Sequence, residues 1–387
     1  MSLVEQHRGR ALTESQREWL RVREHLQRHR YKLGQVAADL YPDTIRVGGT
    51  PLLSRPDWLP PEPIPLDAID LAFTPDVPFT GLAGDDRATI SLRPQRPDGS
   101  RYPTYSAAMA ELASPAVFEN RSTYRMQSAQ LTGDRGRLVF GPGTYFDGID
   151  LGEAAAHEYA AARIDGTSTP LRDAIGEPSD PERRPTNLAI SALTIRHDQH
   201  SGDARFLVHW RDPAKVGHAG GLHQVLPVGI FQPSSDHPWN EHNDFSLWRC
   251  LVREFAEELL GQAELDGASG PIDYDNWPFA ARMTDELHGG TIRAYCVGIG
   301  VDPLTLATDL LSVVVIDAPV FDDIFDGLVD RNAEGQLVRI RVTSLDRLPG
   351  VPFVESEVKR LTRREPMQAA GAAVVATAWR YREQLLY

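Results

Sequence analysis

The stretch Arg253-Glu254-Phe255-Ala256-Glu257-Glu258 decides the fold expected for this chain. In a helix each residue turns by about 100°, so Glu254, Glu257 and Glu258 fall on one face, with Arg253 at its edge. The opposite face is apolar and consists of Trp248, Leu251, Val252, Phe255 and Leu259. The pattern predicts an amphipathic helix from Phe245 to Leu260 that carries a compact acidic face.

The three clustered carboxylates suggest a metal-binding surface. Like charges held close together raise each other's pKa values and destabilise the helix, whereas a bound divalent cation offsets that repulsion. Carboxylate oxygens are suitable ligands for Mg²⁺ or Mn²⁺, and these ions can bridge phosphate oxygens and generate a hydroxide nucleophile. The alternative is a solvated helix face on which Arg253 and Glu257 form an ion pair.

The same six residues resemble part of the Nudix box, the signature of the Nudix hydrolase superfamily. The box reads Gly-x5-Glu-x7-Arg-Glu-U-x-Glu-Glu-x-Gly-U, where U is a bulky aliphatic residue. The segment from Arg253 to Glu258 matches its Arg-Glu-U-x-Glu-Glu portion, with Phe255 at the U position. The predicted order of elements is also similar over residues 187–387, since strands precede the acidic helix and further strands and a final helix follow it.

The resemblance implies an α+β fold, namely a Nudix-like mixed β-sheet sandwiched by helices, with an N-terminal α/β extension or domain. It implies that Glu257 and Glu258 bind Mg²⁺ or Mn²⁺ and that Glu254 binds metal or helps to deprotonate water. Arg253 would orient a glutamate by a charge-assisted hydrogen bond. The implied reaction is hydrolysis of a diphosphate linkage in a nucleoside diphosphate derivative, so the expected partner is a nucleotide-like small molecule.

Three departures from the box keep other functions open. Leu260 stands where the box has glycine and Gly261 comes one position later, while Phe245 occupies the position of the upstream glutamate. Gly229 would serve as the first glycine only across a loop that is too long, residues 232–244. A second hypothesis is therefore a non-catalytic Nudix-like sensor of a nucleotide or other metabolite, and a third is a scaffold without a ligand.

The long loop and two glycines supply candidate substrate-binding residues. Glu241 or His242, like His237 and Asp244, could replace the missing ligand, although the loop could equally be a substrate lid or a solvated connection. Gly221 follows Gly220 and would allow a ligand to approach the backbone closely, but a tight hairpin turn explains it equally well. The candidates are Gly221, Gly229, Glu241 and His242.

The composition indicates which cellular compartment and which kinds of partner to expect. The 387 residues include 40 Lys and Arg against 54 Asp and Glu, a formal charge of −14, which argues against bulk nucleic-acid binding. No apolar run approaches the roughly 20 residues of a membrane span, so we expect no membrane partner. Two cysteines, Cys250 and Cys296, without a signal-like N-terminus favour a cytoplasmic protein. A homodimer stays open as an oligomeric state.

The chain divides by composition into four predicted parts. Residues 1–41 form a basic helical segment whose helix runs from Thr13, a candidate cap, to Tyr41; this segment offers the one route to nucleic acid or another anionic partner. Residues 42–66 are proline-rich and apolar, which predicts a wrapping segment. Residues 67–185 are predicted to form a mixed α/β domain of unknown role, and residues 186–387 a Nudix-like domain.

Local patterns predict the remaining elements. Asp150, Glu153 and His157 share a face of a predicted helix from Leu151 to Ile164, where a local salt bridge is expected, and Gly141-Pro142-Gly143 is predicted to be a turn. A final helix is predicted from Met367 to Leu386. Strands are predicted at Arg137–Phe140, Asn187–Arg196, Ala204–Trp210, Gln224–Phe231, Thr291–Ile299, Leu311–Ile316 and Leu337–Val342.

Overall fold

The computed structural model describes residue 3 and residues 11–115, 117–211, 221–328, 335–337 and 350–387. Its helices are α1 (Glu14–Ala37), α2 (Arg87–Ile90), α3 (Tyr105–Leu112), α4 (Tyr145–Asp165), α5 (Pro170–Ile175), α6 (Pro238–Asn243), α7 (Leu247–Leu260), α8 (Pro278–Gly289), α9 (Ala318–Ile324), α10 (Glu355–Arg363), α11 (Ala369–Arg380) and α12 (Arg382–Leu386). Its strands are β1 (Ile45–Arg46), β2 (Leu53–Ser54), β3 (Ile64–Pro65), β4 (Ile69–Phe73), β5 (Ser122–Thr132), β6 (Arg135–Thr144), β7 (Leu188–His197), β8 (Ala204–Phe206), β9 (Val208–Arg211), β10 (His223–Val225), β11 (Val228–Ile230), β12 (Ile292–Val301), β13 (Thr308–Asp317), β14 (Gly335–Leu337) and β15 (Val351–Pro352).

The largest sheet is mixed and has β7 and β13 at its centre. These strands run parallel, with Leu188 opposite Thr308 and His197 opposite Asp317. Strand β12 lies antiparallel to β13, whereas β8 and β11 lie antiparallel to β7. The expected α+β class with a mixed sheet is therefore confirmed.

This sheet separates two apolar cores, because successive side chains of a strand point to opposite faces. Along β13, Leu310 and Val314 join the core that also contains Phe255 of α7. The neighbouring Val313 and Val315 join the second core, which contains most of the buried residues of α11. The sheet thus has α7 on one face and α11 on the other.

Residues 42–66 lie along the β12 side of the sheet. Leu53 of β2 pairs with Val301, and Ile64 of β3 pairs with Cys296. Trp58, between these strands, is fully buried. This proline-rich segment therefore adds short strands and apolar side chains to the body of the protein.

Helix α1 begins at the predicted cap. The Thr13 hydroxyl accepts a hydrogen bond from the Gln16 amide, and the Gln16 side chain accepts one from the Thr13 amide, which together form a capping box. The apolar stripe of α1 is buried against α4, where Leu26 packs with Ala156 and Tyr159. Helix α1 is thus part of the folded body.

The predicted polar face of α4 is buried and paired with neighbouring helices. Glu153 forms ion pairs with both Arg23 and Arg30 of α1, so these two basic residues of the N-terminal segment are buried in the interior rather than exposed on the surface. His157 Nδ1 lies 3.0 Å from the Tyr105 hydroxyl. Residues 1–2 and 4–10 of the basic segment lie outside the described residues.

Apolar contacts continue across the boundary predicted near residue 185. A second sheet, in the order β4-β6-β5, lies on the N-terminal side of that boundary. Leu138 and Phe140 of β6 belong to the same core as Leu188 and Phe231 on the C-terminal side. The ring centroids of Phe140 and Phe231 are 5.2 Å apart. The two halves therefore share one apolar core.

The predicted turn at Gly141-Pro142-Gly143 is wrong, because these residues continue β6 opposite β5. Pro142 stands opposite Tyr124, whose amide donates to the Phe231 carbonyl instead of to β6. On the other side of β6, the pairing with β4 ends at Phe140. Proline is tolerated here because neither neighbouring strand requires its missing N–H group.

Other predicted elements differ from the structure in their limits. Strand Gln224–Phe231 is divided into β10 and β11 around the cis peptide Leu226–Pro227. The loop at residues 232–244 contains the short helix α6, and the final helix is divided into α11 and α12. The predicted strand Leu337–Val342 lies outside the described residues apart from Leu337.

Within the described ranges, no helix combines the length and the apolar character that a membrane span requires.

Candidate functional site

Helix α7 carries the acidic stretch and has well-defined ends. The Ser246 side chain accepts a hydrogen bond from the Arg249 amide, which satisfies one of the free donors at the start of the helix. At the other end Gly261 adopts a left-handed conformation with φ of 63°, which favours glycine. Gly261, one position later than the glycine of the Nudix box would be, is thus the helix C-cap, and Leu260 is the last residue of the helix.

Two of the three glutamates lie against strand β11. The Val228 amide donates to Glu258 Oε2 at 3.3 Å. At Gly229, a Cβ atom would overlap the carboxylate of Glu254, so only glycine leaves room for that side chain. The structure therefore brings the predicted residues Gly229, Glu254 and Glu258 together.

Glu257 is partly buried, and its electrostatic surroundings are unfavourable for a charge. Burial, followed by the negative charge of Glu264, raises the pKa of Glu257 from 4.5 to about 7. The positive charges of Arg253 and Arg121 oppose this rise without cancelling it. A cation bound beside Glu257 would favour its ionised form and lower its pKa.

Arg253 anchors the helix to the preceding loop. Its Nη2 donates to the Gln232 carbonyl and its Nη1 to the Tyr274 hydroxyl, each at 2.7 Å. Nη1 also lies 3.4 Å from Asp244 Oδ1, which accepts a hydrogen bond from the same tyrosine. The resemblance implied a glutamate partner for Arg253, whereas the ion pair in the structure is with an aspartate.

Asp244 is a structural partner of this arginine rather than an open ligand. Its side chain is fully buried, and Oδ2 accepts a hydrogen bond from the Ser234 amide at 2.8 Å. These contacts close the loop at residues 232–244 into a folded unit. The loop therefore positions Arg253, a role that its sequence did not indicate.

The other loop candidates lie on or near the surface. Glu241 accepts a hydrogen bond from the Tyr124 hydroxyl, but through its backbone carbonyl. His242 is exposed, and exposed His237 stacks on Trp239 with ring centroids 4.5 Å apart. Among the described residues, the hydrogen-bond partner of Glu241 and the stacking partner of His237 both lie outside the acidic face.

Gly221 lies at the start of a described range, since residues 212–220, including Gly220, are outside the description. It has a φ of 82°, and a Cβ atom there would meet nothing within 4 Å. The positive φ explains the glycine as a turn residue.

Phe245 belongs to an aromatic cluster. Its ring centroid lies 4.9 Å from that of Tyr124 and 5.7 Å from those of Phe140 and Phe231. The position that holds a glutamate in the Nudix box therefore packs against the core in this chain.

Two residues near the acidic face were not found from the sequence. Arg121 Nη1 pairs with Glu264 Oε1 at 2.5 Å, and Nη2 donates to the Ser234 carbonyl at 2.5 Å. Both side chains influence the charge of Glu257. Arg121 precedes β5, far from α7 in the chain, so no local pattern could connect it to the site.

The described residues do not form a preorganised metal site with three protein ligands. Within the described ranges, no three side chains of His, Cys, Asp or Glu are grouped so that they could hold a metal ion. Glu254, Glu257 and Glu258 thus offer carboxylates on one helix face without converging on one point. A Mg²⁺ ion at this face would therefore have to be held by one or two of these carboxylates together with water and substrate phosphates.

Comparison of the chain with models of known protein families and with curated protein sequences gives no match.

Proposed function

We propose that this protein is a divalent-metal-dependent hydrolase that cleaves a diphosphate linkage in a nucleoside diphosphate derivative. The observation that carries the proposal is the face formed by Glu254, Glu257 and Glu258 beside Gly229. A partly buried carboxylate with a pKa of about 7 is poorly solvated as an anion, so a bound cation would stabilise this face. The match of residues 253–258 to the Nudix box supports the choice of reaction.

Each residue has a distinct part in the proposed site. Glu257 and Glu258 would hold Mg²⁺ or Mn²⁺, and Glu254 would bind metal or accept a proton from the attacking water. When bound, the cation would neutralise phosphate oxygens and lower the pKa of a bound water molecule. Arg253 positions the helix through Asp244. The absence of a Cβ atom at Gly229 leaves room for the carboxylate of Glu254.

The proposal includes a cytoplasmic location and a nucleotide-like small molecule as the partner. Cys250 and Cys296 are both buried and unpaired, which suits a reducing compartment.

The test is a hydrolysis screen of the full chain with nucleotide sugars, dinucleotides and nucleoside triphosphates, in Mg²⁺ and in Mn²⁺. We expect activity on at least one diphosphate-linked substrate. Glu257→Gln combined with Glu258→Gln should lower kcat by at least about a hundredfold, because the charges that hold the cation are removed. Glu355→Gln is the matched control, since Glu355 is exposed and pairs with Lys359 on α10, outside the proposed site. Unchanged activity in the double variant would refute the metal role.

The second candidate function is a non-catalytic sensor of a nucleotide or metabolite. Phe245 favours it, because this position packs in an aromatic cluster where the box has its upstream glutamate. The core shared by both halves offers a physical link from the acidic face to the N-terminal part. Because of that shared core, binding to DNA is best measured on the full chain, with and without nucleotide. A blank hydrolysis screen together with nucleotide-dependent DNA binding would favour the sensor.

A further inference from the structure

Two histidines lie one helical turn apart in the middle of α1. His25 is half-buried and His29 is exposed. Their ring centroids are 4.4 Å apart, with an angle of 48° between the ring planes. Residues at positions i and i+4 of a helix are neighbours on its surface. Helix α1 therefore holds two imidazole groups side by side, on a different element from the acidic face of α7.

The spacing of the two rings matches the reach of a single metal ion. In proteins a Zn²⁺ ion lies about 2.0–2.1 Å from each imidazole nitrogen, so two such nitrogens on one tetrahedral ion are roughly 3.3 Å apart. Both histidines are on one continuous helix, Glu14–Ala37, which fixes their Cα atoms. Rings with centroids 4.4 Å apart can reach the required separation by rotation of the side chains alone.

His25 is in the protonation state that a metal requires. Burial, followed by His29 and then by the positive charges of Arg21 and Arg28, lowers the pKa of His25 from its ordinary value of 6.5. The ring is therefore neutral at pH 7, and neutral imidazole is the form that binds metal. Two protonated rings at this distance would repel each other, whereas one metal ion can bind both neutral rings.

The charges around the two histidines do not exclude a cation. Arg21 pairs with Glu18 at 2.5 Å and with Asp165 of α4 at 3.1 Å, and Arg28 pairs with Glu24. The three carboxylates outnumber the two guanidinium groups. These ion pairs are on the surface and contribute little to stability, but they offset the positive charge that would otherwise repel a metal ion.

The donor atoms indicate the class of metal. Imidazole nitrogen suits Zn²⁺, Cu²⁺ and Ni²⁺, whereas Mg²⁺ prefers oxygen ligands. Within the described ranges, no third His, Cys, Asp or Glu side chain completes a metal-binding group with these histidines. Water would take the remaining coordination positions, as it does at open zinc sites.

We propose that His25 and His29 together bind Zn²⁺ or another late first-row transition-metal ion that prefers nitrogen ligands. The bound ion links two successive turns of α1, the helix whose Arg23 and Arg30 are buried against Glu153. An ion that binds only the folded chain stabilises the folded state by mass action. This site is independent of the proposed hydrolase activity, and it takes a different class of metal.

The test measures Zn²⁺ binding to the full chain at about pH 7.5, where imidazole is neutral. Excess Mg²⁺ is present, so that the acidic face is supplied with the metal that oxygen ligands prefer. Isothermal titration calorimetry gives the affinity, and thermal unfolding gives the melting temperature. We expect saturable binding and a melting temperature that rises with Zn²⁺ concentration.

His29→Gln should weaken Zn²⁺ binding by at least about tenfold, because the second ligand on the same helix is lost. Since His29 is exposed, the variant should keep its fold, which circular dichroism without metal checks. His288→Gln is the matched control and should bind Zn²⁺ as the wild type does. His288 is exposed on α8 and has no histidine one turn away in the sequence.

A second variant separates chelation from the mere number of histidines. His29→Gln combined with Gln27→His keeps the histidine count of α1, but its two rings are two residues apart, where helix positions do not face each other. Gln27 is exposed, so the exchange leaves the core intact. We expect this variant to bind Zn²⁺ as weakly as His29→Gln. The proposal is overturned if the wild type does not bind Zn²⁺ saturably, or if either variant binds it as tightly as the wild type.

Discussion

At the scale of the residue, the close approach of β11 to α7 depends on one missing side chain. Gly229 leaves space that the carboxylate of Glu254 occupies, and the amide of the preceding residue, Val228, donates to Glu258. The backbone of β11 therefore helps to position the acidic side chains of helix α7. Because the Glu254 carboxylate fills the space beside Gly229, even the smallest substitution at position 229 is expected to have an effect.

Gly229→Ala should destabilise the fold by about 1–3 kcal/mol and impair metal binding, because the new Cβ overlaps Glu254 and forces strand and helix apart. The free energy of unfolding in urea measures the first effect, and Mg²⁺ titration the second. Gly289→Ala is the control, since no atom lies within 4 Å of the place that a methyl group would take at that helical glycine. Equal effects of the two substitutions would contradict the proposed contact.

Glu257 should make stability depend on pH in the absence of metal. The pKa of Glu257 in the folded state, about 7, exceeds its ordinary value of 4.5. Between pH 4.5 and about pH 7 the folded chain therefore binds more protons at this residue than the unfolded chain does. This contribution to stability is present at low pH and is lost as pH rises through about 7. Urea unfolding from about pH 5 to about pH 8 measures the slope.

The variant Glu257→Gln isolates this contribution from other buried acids, such as Asp309, whose pKa is also raised, to about 6. We expect a shallower decline of stability with pH in the variant. In the wild type, Mg²⁺ should reduce the decline, because it favours the ionised carboxylate. An identical slope in wild type and variant would show that Glu257 titrates normally.

At the scale of the element, α7 is fixed by the loop before it. Arg253 binds Gln232, Tyr274 and Asp244, and Phe245 packs into the aromatic cluster immediately before the helix. The long loop at residues 232–244 is thus a folded support for the helix. Its acidic and histidine side chains did not reveal this role.

Phe245→Glu places a glutamate where the Nudix box has one, but we expect it to destabilise the protein by about 3–5 kcal/mol without a gain in activity. The substitution removes an aromatic side chain from the cluster and leaves a carboxylate among aromatic rings. Phe245→Leu serves as the control, since it keeps an apolar side chain and should cost less. Circular dichroism during urea unfolding gives the stability, and hydrolysis in Mg²⁺ gives the activity. Higher activity in Phe245→Glu would show that the position can act as a ligand.

At the scale of the whole molecule, the N-terminal half is built into the same core as the acidic helix. Phe140 packs on Phe231, and residues 42–66 add strands to β12. Two arginines of α1 meet one glutamate of α4 in the interior. These contacts connect segments that are far apart in the sequence.

Because of these contacts, the described halves should unfold in one cooperative transition. Glu153→Ala should lower the free energy of unfolding by about 3–5 kcal/mol, since it leaves two buried arginines without their carboxylate. Tryptophan fluorescence and circular dichroism should report the same urea midpoint in wild type and variant. Glu24→Ala is the control, because Glu24 pairs with exposed Arg28 on the surface of α1. Two separated transitions in the wild type would show that the halves fold independently.

The sequence by itself determined the amphipathic helix around residues 253–258, the Thr13 cap and most strands of the central sheet. Periodicity and capping act over one or two helical turns, so neighbouring residues contain that information. The family relationship of the protein and the reaction that it catalyses stay predictions. Only the tertiary structure decided that Gly229 makes room for Glu254, that Asp244 rather than a glutamate pairs with Arg253, and that Arg30 is buried beside Glu153. Those facts depend on contacts between distant segments, whose geometry no local pattern specifies.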